Sequence, residues 1–337
     1  MNSEAAELPR PMLLSIIIPA YNEESVVAEA ISAITSVLTS NHYLYEIIVV
    51  NDGSSDLTAQ ILSDLASQDA RVKLITFSRN FGHQIAITAG LDFATGNAMI
   101  IMDADLQDPP SVLKDMIDMY QRGYDVVLAQ RVSRSGEGVF KRATAAGFYW
   151  FMRSFVHSRL VSEVGDFQLL SRRTVAAINE FREEHRFMRG IVAWLGLKPA
   201  IVKFNRPQRH AGKTKYGIRQ MLRLASTAIV SFTGFPAKCG MLLGVACIAV
   251  GIFAVMSDVC YCPVGERRIV VGSWIIGVHS VLAGVVLVAM GMHGEYVSRI
   301  YDEVRVRPLY VVSETRNIVL PHASRRRAIV LENRTCA

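Results

Sequence analysis

The sequence contains no cysteine before residue 239. All five cysteines lie in the last third of the chain, at Cys239, Cys247, Cys260, Cys262 and Cys336. Disulfide bonds therefore cannot hold the first two thirds together, which fits a protein of a reducing compartment. Cys260 and Cys262 have neither a nearby histidine nor a second cysteine pair, so they are only a weak signal for a metal site.

The sequence also lacks a secretory signal and a dinucleotide-binding motif. Its first apolar run, residues 12–20, is too short for a signal-peptide core and is interrupted by Ser15 and Pro19. No Gly-x-Gly-x-x-Gly pattern follows this run, which disfavours a classical dinucleotide site. The net charge of +6 favours anionic partners, but it does not distinguish phosphates, nucleic acid and acidic lipid.

Charged residues are absent from two long runs near the C-terminus. The chain as a whole is 20% charged and 51% hydrophobic, yet residues 239–257 carry no charge and residues 269–292 only the titratable His279. Both runs reach the length of about 20 residues that a transmembrane helix needs. We predict a hairpin of two transmembrane helices joined by residues 258–268, with two buried core helices as the alternative.

Positive charges concentrate outside this hairpin. They are Lys213, Lys215, Arg219, Arg223 and Lys238 before it, Arg299, Arg305 and Arg307 after it, and only Arg267 and Arg268 in its loop. This distribution predicts that both large ends of the chain are cytoplasmic.

Apolar residues recur at helical spacing over residues 217–233. They predict an amphipathic helix in the membrane interface, although a core helix would show the same pattern.

The N-terminal part alternates short β-branched runs with helical stretches. We predict strands at residues 13–18, 45–50, 73–77, 98–102 and 125–128, and helices at residues 24–38, 57–66 and 84–93. Near-continuous apolar strands alternating with helices indicate a parallel sheet covered on both faces. Ligands of such sheets bind at the carboxyl ends of the strands, so the residues after each strand are the candidates for function.

Asp103, Asp105 and Gln107 directly follow the fourth predicted strand. Residues two apart in an extended chain point to the same side, so we expect these three side chains to converge. Their hard oxygen ligands suit Mg²⁺ or Mn²⁺ holding a diphosphate. A solvated turn is the alternative, but the position at a strand end and the two following prolines favour a metal site.

The first two predicted strands end in a second polar set, residues 19–24 and 51–56. Asp and Ser at such positions commonly cap helices or form turns. At neighbouring strand ends, however, an aromatic ring and carboxylates can contact a base and a ribose.

These motifs resemble those of inverting GT-A glycosyltransferases of family 2, in the branch that acts on polyprenyl phosphates. They lie, in the family's order, at residues 15–24, 50–56, 78–82, 103–110, 165–169, 206–216 and 294–301. The resemblance covers residues 12–312 and is strongest to the bactoprenol glucosyltransferases. It implies an α/β fold: a GT-A (Rossmann-like), mostly parallel sheet domain followed by an interfacial helix and a two-helix transmembrane hairpin.

The resemblance also implies a domain organisation. A catalytic domain would occupy residues 12–216 and a juxtamembrane helix residues 217–233. Two transmembrane helices would lie within residues 237–292, at about 239–257 and 269–292, before a cytoplasmic segment of residues 293–337. The protein would be a multi-pass protein of the inner (cytoplasmic) membrane with its catalytic domain in the cytoplasm.

Roles for individual residues follow from the resemblance. The nucleotide-sugar site would comprise Pro19, Tyr21, Glu23, Val50, Asp52, Asp103, Ala104, Arg206 and Lys213. The metal, Mg²⁺ or Mn²⁺, would be held by Asp103, Asp105 and Gln107, and the acceptor phosphate by Arg131, Arg209 and Lys215. The catalytic residues would be Asp166, Asp105 and Arg131. Without the resemblance, Arg131 would be interpreted as a surface arginine and residues 206–215 as charge next to a membrane span.

The family offers Asp166 as a catalytic base, but the chemistry of the acceptor weakens that role. A phosphate monoester has a second pKa of about 6, so the lipid phosphate is mostly dianionic at neutral pH. No proton need be removed from such a nucleophile. We therefore expect Asp166 to position the sugar or the acceptor, with turn formation as the alternative, and the metal and cationic side chains to stabilise the departing UDP.

The predicted function is transfer of a hexose with inversion, from UDP-glucose to undecaprenyl phosphate. GDP-mannose, UDP-GlcNAc or a UDP-aminoarabinose derivative are alternative donors. A processive polysaccharide synthase would need more membrane helices and a Gln-x-x-Arg-Trp motif, which the sequence lacks. A non-catalytic membrane scaffold would not need the carboxylates Asp103, Asp105 and Asp166. The expected partners are the donor, the lipid phosphate and the membrane, without nucleic acid, and a homo-oligomer is left open.

Overall fold

The computed structural model describes residues 12–132, 164–184, 186–205, 267–318 and 328–330, together with residues 246, 247, 249 and 253. These residues belong to two compact units. One unit contains a sheet and its covering helices, and the other contains a long helix near the C-terminus.

The sheet has nine strands among the described residues. They are β1 Leu13–Ala20, β2 Leu44–Asn51, β3 Val72–Phe77, β4 Ala98–Ile101, β5 Val126–Arg131, β6 Val164–Ser171, β7 Ala200–Phe204, β8 Tyr310–Arg316 and β9 Ala328–Val330. The described helices are α1 Val27–Ser40, α2 Thr58–Gln68, α3 His83–Phe93, α4 Val112–Gln121, α5 Arg172–Glu180, α6 Met188–Trp194 and α7 Arg267–Val304.

The strand order is β7-β5-β6-β4-β1-β2-β3-β8-β9. Strands β1 to β4 are mutually parallel where they pair, while β6 runs antiparallel to β4 and β5, and β8 antiparallel to β3. Residues 14–20 of β1 are all buried, because the strand has neighbours on both sides and helices against the sheet. The prediction of an α/β domain with a mostly parallel sheet is confirmed, and all five predicted strands are present with slightly different ends.

Four strands were not predicted from the sequence. Strand β6 lies between β4 and β5, β7 lies at the edge beyond β5, and β8 and β9 add to the opposite side of the sheet. Strand β8 follows the long helix α7 in the chain and pairs with β3, with Leu74 opposite Arg316. Part of the segment at residues 293–337, in which no strand was predicted, therefore belongs to the sheet.

The long helix α7 is 38 residues in length. Within the described part of the chain, one helical stretch, Val281–Val304, is long and apolar enough to cross a membrane. It overlaps the predicted span at residues 269–292 but begins later and ends later. Two predicted elements lie outside the described residues: the interfacial helix at residues 217–233 and, apart from four positions, the first span at residues 239–257. The hairpin therefore stays a prediction.

A buried polar network fixes the end of the sheet opposite the strand carboxyl ends. The Glu46 carboxylate, whose side chain is 5% exposed, accepts hydrogen bonds from Ser15 Oγ at 2.5 Å, Lys73 Nζ at 2.5 Å, and both the amide and the hydroxyl of Thr95. Burial would raise the pKa of Glu46, but these donors outweigh burial and lower it. Glu46 thus joins β1, β2, β3 and the turn before β4.

Replacing Glu46 with alanine is expected to lower the free energy of unfolding by about 3 kcal/mol, because the substitution leaves Lys73 and the buried hydroxyls without a partner. Glu46→Gln, which keeps the shape, should cost less. The folded-state pKa of Glu46 is depressed, so its contribution is present at neutral pH and is lost as the pH falls through that pKa. Urea unfolding of the wild-type protein and both variants, at neutral pH and at about pH 4, would measure these free energies. The same pH dependence of stability in the wild type and Glu46→Ala would contradict the prediction.

Candidate active site

The candidate residues collect at the carboxyl ends of the central parallel strands. Residues 21–24 follow β1, residues 52–56 follow β2 and residues 103–108 follow β4. Arg131 ends β5, which runs parallel to β1 through the sheet, and Asp166 lies near the start of the antiparallel β6. The topology therefore brings the carboxyl ends of β1, β2, β4 and β5 and the start of β6 to the same edge of the sheet.

The loops after β1 and β2 hold each other through side chains. Asn22, in the left-handed region with φ 53°, donates its amide N–H to Ser54 Oγ at 3.0 Å and accepts from the Ser55 amide at 2.8 Å. The Glu23 amide donates to Thr58 Oγ1 at 2.9 Å. These contacts order the segment that contains Tyr21, whose side chain is 41% exposed.

The predicted base and ribose residues fall into exposed and buried groups. Pro19 and Val50 are buried strand residues that lie opposite each other in register. Tyr21 is exposed and Glu23 is partly buried, so both are accessible to a ligand. Ala104 is buried.

Asp52 is 2% exposed and holds the loop after β3. Its two carboxylate oxygens accept the amide N–H groups of Phe81 at 2.7 Å and Gly82 at 2.9 Å. Burial raises the pKa of Asp52, although these amides oppose the rise. The adjacent Gly53 has φ 64°, and a Cβ atom there would lie 2.4 Å from the backbone of Arg79, so only glycine allows this close approach.

The chain that carries Asp103, Asp105 and Gln107 is a turn. Leu106 has φ 56°, and Asp105 Oδ1 accepts the amide N–H of Gln107 at 3.1 Å. We predicted that an extended chain would point these three side chains to the same side. That prediction is wrong, because β4 ends at Ile101 and a turn follows. Asp105 nevertheless lies close enough for its negative charge to raise the pKa of Asp103.

The carboxylates of this turn fit a divalent cation. Burial raises the pKa of Asp103, and the negative charges of Asp166 and Asp105 raise it further, against His83 and Arg131. A bound cation would relieve this repulsion. Among the described residues no group of three or more His, Cys, Asp or Glu side chains is arranged to hold a metal. A pair of carboxylates matches the way Mg²⁺ binds, with one or two carboxylates and with substrate phosphates as further ligands.

Asp166 is 11% exposed and is surrounded by one hydrogen-bond donor, Gln84, and two cationic side chains, His83 and Arg189. Its Oδ2 accepts from Gln84 Nε2 at 3.0 Å and lies 3.3 Å from His83 Nε2, while its Oδ1 lies 3.2 Å from Arg189 Nε. Burial would raise the pKa of Asp166, but Arg189, His83 and Gln84 outweigh burial and hold the pKa well below its usual range.

His83 lies between Asp166 and Asp103, with its Nε2 3.6 Å from Asp103 Oδ1. Burial would lower the pKa of His83, but the two carboxylates raise it to about 9. At neutral pH the imidazole is therefore protonated and Asp166 is ionised. A carboxylate that is this difficult to protonate is a poor base, which supports a positioning role for Asp166.

Arg131 reaches the same group because residue 165 is a glycine. A Cβ atom at Gly165 would lie 2.9 Å from Arg131 Nη2. The Nε atom of Arg131 is buried without a hydrogen-bond partner in the described part of the chain, and the positive charge of Arg131 acts on Asp103. The structure thus brings Arg131, Asp103, Asp105 and Asp166 together.

His83, Gln84 and Arg189 were not among the site residues predicted from the sequence. His83 and Gln84 directly follow the motif at residues 78–82, so adjacency to that motif was an available signal. Arg189 lies outside the predicted motifs, and only its distance to Asp166 identifies it. Arg206, Arg209, Lys213 and Lys215 lie outside the described residues.

The sequence is similar to known proteins over most of its length. Residues 15–177 match the protein family described as Glycosyl transferase family 2. The uncharacterized glycosyltransferase YkcC of Bacillus subtilis is 40% identical over 92% of this chain and 96% of that protein. The bactoprenol glucosyl transferase of Shigella phage SfX is 35% identical over 90% of this chain and 100% of that protein.

The solved structures that match this chain are more distant in sequence. Mannosyl-3-phosphoglycerate synthase from Rubrobacter xylanophilus superposes with a TM-score of 0.45 at 16% identity, covering 65% of this chain and 72% of that one. Glucosyl-3-phosphoglycerate synthase from Mycobacterium tuberculosis, in complex with Mn²⁺, UDP and phosphoglyceric acid, gives a TM-score of 0.46 at 18% identity, covering 65% and 76%. The assignment depends on the relatives that are similar along nearly their whole length, and by that similarity the chain belongs to glycosyltransferase family 2.

Proposed function

We propose that this glycosyltransferase moves glucose from UDP-glucose to undecaprenyl phosphate with inversion at the anomeric carbon. The observation that carries the proposal is the state of Asp166, which one hydrogen-bond donor and two cationic side chains hold ionised beside the carboxylates of Asp103 and Asp105. An acceptor that must lose a proton would require a base at this position, whereas a phosphate dianion requires none.

Similarity to named relatives supports the lipid acceptor. Bactoprenol glucosyl transferases of Shigella phages SfII and SfV are each 35% identical to this chain over 98% and 99% of their lengths. A lipid acceptor also gives a reason for an apolar helix such as Val281–Val304, which would keep the enzyme at the membrane that carries its substrate. We place the catalytic domain on the cytoplasmic face.

The reaction is a displacement at the anomeric carbon of the donor sugar. Asp103 and Asp105, with Gln107, would hold Mg²⁺ or Mn²⁺, which when bound neutralises charge on the diphosphate. Tyr21 and Glu23 would contact the base and the ribose. Arg131 would bind oxygens of the acceptor phosphate and orient one of them in line with the bond to UDP.

The other residues at this edge of the sheet orient the substrates. Asp166 would accept hydrogen bonds from sugar hydroxyl groups, and its fixed negative charge would favour the positive charge that develops at the anomeric carbon. Arg206, Arg209, Lys213 and Lys215 would contact the donor and acceptor phosphates, as the family resemblance implies.

Transfer by the purified full-length protein tests this function. The protein in detergent would be incubated with undecaprenyl phosphate, Mg²⁺ or Mn²⁺, and a panel of labelled nucleotide-sugars. We expect a charged, glucose-labelled lipid from UDP-glucose, with the β configuration from the α-linked donor. Transfer from a different donor would correct the sugar specificity alone, whereas the absence of a lipid-linked product with every donor would refute the function.

A further inference from the structure

The orientation of the Asp166 carboxylate is determined from two sides. On one side, His83 and Gln84 in the first turn of α3 contact Oδ2, at 3.3 and 3.0 Å. On the other side, Arg189 in the first turn of α6 contacts Oδ1, with its Nε at 3.2 Å. Neither oxygen can rotate away without losing a charged or hydrogen-bonded partner.

Arg189 contacts the strand that carries Asp166 at two points. Its Nη1 donates to the carbonyl oxygen of Val164 at 3.2 Å, two residues before Asp166 on β6. Its guanidinium also lies 5.4 Å from the centre of the Phe187 ring, which limits its own movement. The side chain therefore spans from α6 to both the backbone and the carboxylate of β6.

A second connection joins α6 to the same carboxylate. The amide N–H of Met188 donates to Gln84 Oε1 at 2.9 Å, and the Nε2 of that glutamine donates to Asp166 Oδ2. The beginning of α6 thus reaches one carboxylate oxygen through Gln84 and the other directly through Arg189. If the first turn of α6 moved, the contacts of both Asp166 oxygens would change.

The fold does not need Arg189 to keep α6 in place. Met188, Ile191 and Val192 on α6 are buried and supply apolar contact, whereas the Arg189 side chain is 31% exposed. Without Arg189, the Asp166 carboxylate would still be paired with His83 and hydrogen-bonded to Gln84, so no buried charge would be left without a partner. A contact with a small effect on the placement of the helix, made to a carboxylate among the candidate residues, indicates a role in the reaction.

We propose that Arg189 is a positioning residue that acts through Asp166, holding its carboxylate in the orientation in which it meets the sugar. The proposal depends on the proposed transfer reaction. It assigns Arg189 an effect on the transfer step and none on the binding of the nucleotide, which the residues after β1 and β2 would contact.

Kinetics of Arg189→Met and Arg189→Lys in the full-length protein test the proposal. We expect Arg189→Met to lower kcat by about 100-fold, the loss that misplacement of a reacting group by about 1 Å can cause. The KM for the donor and the melting temperature should change little, and Arg189→Lys should recover part of kcat. Arg173→Met is the matched control, because Arg173 also pairs with an aspartate, Asp125, but lies exposed on α5.

A double-mutant cycle separates an effect through Asp166 from a direct contact with substrate. If Arg189 acts through Asp166, Arg189→Met should change kcat by less than about threefold in an Asp166→Asn background. An equal loss in both backgrounds, an unchanged kcat in the single variant, or a parallel loss of melting temperature would each overturn the proposal. A wild-type protein that transfers no sugar would instead refute the proposed function, and the positioning role with it.

Discussion

Replacing Asp105 with alanine is expected to abolish metal-dependent transfer while leaving the protein folded. The variant should lose at least about 100-fold in kcat, because a metal ion contributes several kcal/mol of charge stabilisation and Asp105 is one of two carboxylates at the site. The fold should tolerate the change. Losing the hydrogen bond to the Gln107 amide costs about 1 kcal/mol, and removing a negative charge beside Asp103 offsets part of this cost.

Three measurements check this expectation: transfer rates over a titration of Mn²⁺, the melting temperature, and recovery of the protein in the membrane fraction. Asp64→Ala is the matched control, since Asp64 is an exposed aspartate on α2, away from the strand ends. Full activity of Asp105→Ala at saturating Mn²⁺ would remove Asp105 from the metal site. A collapse of the melting temperature would mean that its role is structural.

Replacing Tyr310 with alanine is expected to lower the free energy of unfolding by about 3–5 kcal/mol, the usual cost of removing a buried aromatic ring. Tyr310 is fully buried at the start of β8, and its ring stacks on Phe77 with centroids 5.2 Å apart. Its hydroxyl donates to Asp92 Oδ2 at 2.8 Å, and Arg182 contacts both oxygens of the same carboxylate. The contact joins residues 218 positions apart in the chain.

Thermal and urea unfolding of the full-length protein in detergent would measure the effect. Tyr310→Phe keeps the ring and should cost only about 1–2 kcal/mol, because Arg182 still pairs with Asp92. Arg316→Ala, an exposed position on the same strand, should change stability by less than about 1 kcal/mol. Equal stability of Tyr310→Ala and wild type would show that β8 does not support the sheet.

The central strands could be predicted because their signal is local. The apolar runs at residues 13–18 and 45–50 are nearly continuous, as buried parallel strands require, and they form β1 and β2. Strand β8 could not be found in the same way. Its exposed edge tolerates polar residues, as in Ser313-Glu-Thr-Arg316, so its pattern is weak without the partner strand β3.

The candidate site was predicted in part. The position after the fourth predicted strand pointed to Asp103 and Asp105, since a residue that follows a parallel strand lies at the functional edge in any such sheet. Asp166 came from the family resemblance, because it lies near the start of the antiparallel β6. The prediction that the chain at residues 103–107 is extended was wrong, because the Asp105 side chain accepts the Gln107 amide and turns the backbone. The contacts of Asp52 with the loop after β3 and of Arg189 with Asp166 on β6 could not be predicted either, because in each case the partner lies in another element of the fold.

The sequence by itself determined the α/β class, the order of the central strands and helices, and the family, because apolar periodicity and motif order depend only on residues that are close together in the chain or on their order. Only the tertiary structure decided the electrostatic state of the site. Asp166 is held by Gln84, 82 positions away, and Gln84 by Met188, 104 positions away. Interactions between charges depend on distance in space and on burial, and neither quantity exists until the strands have been placed side by side.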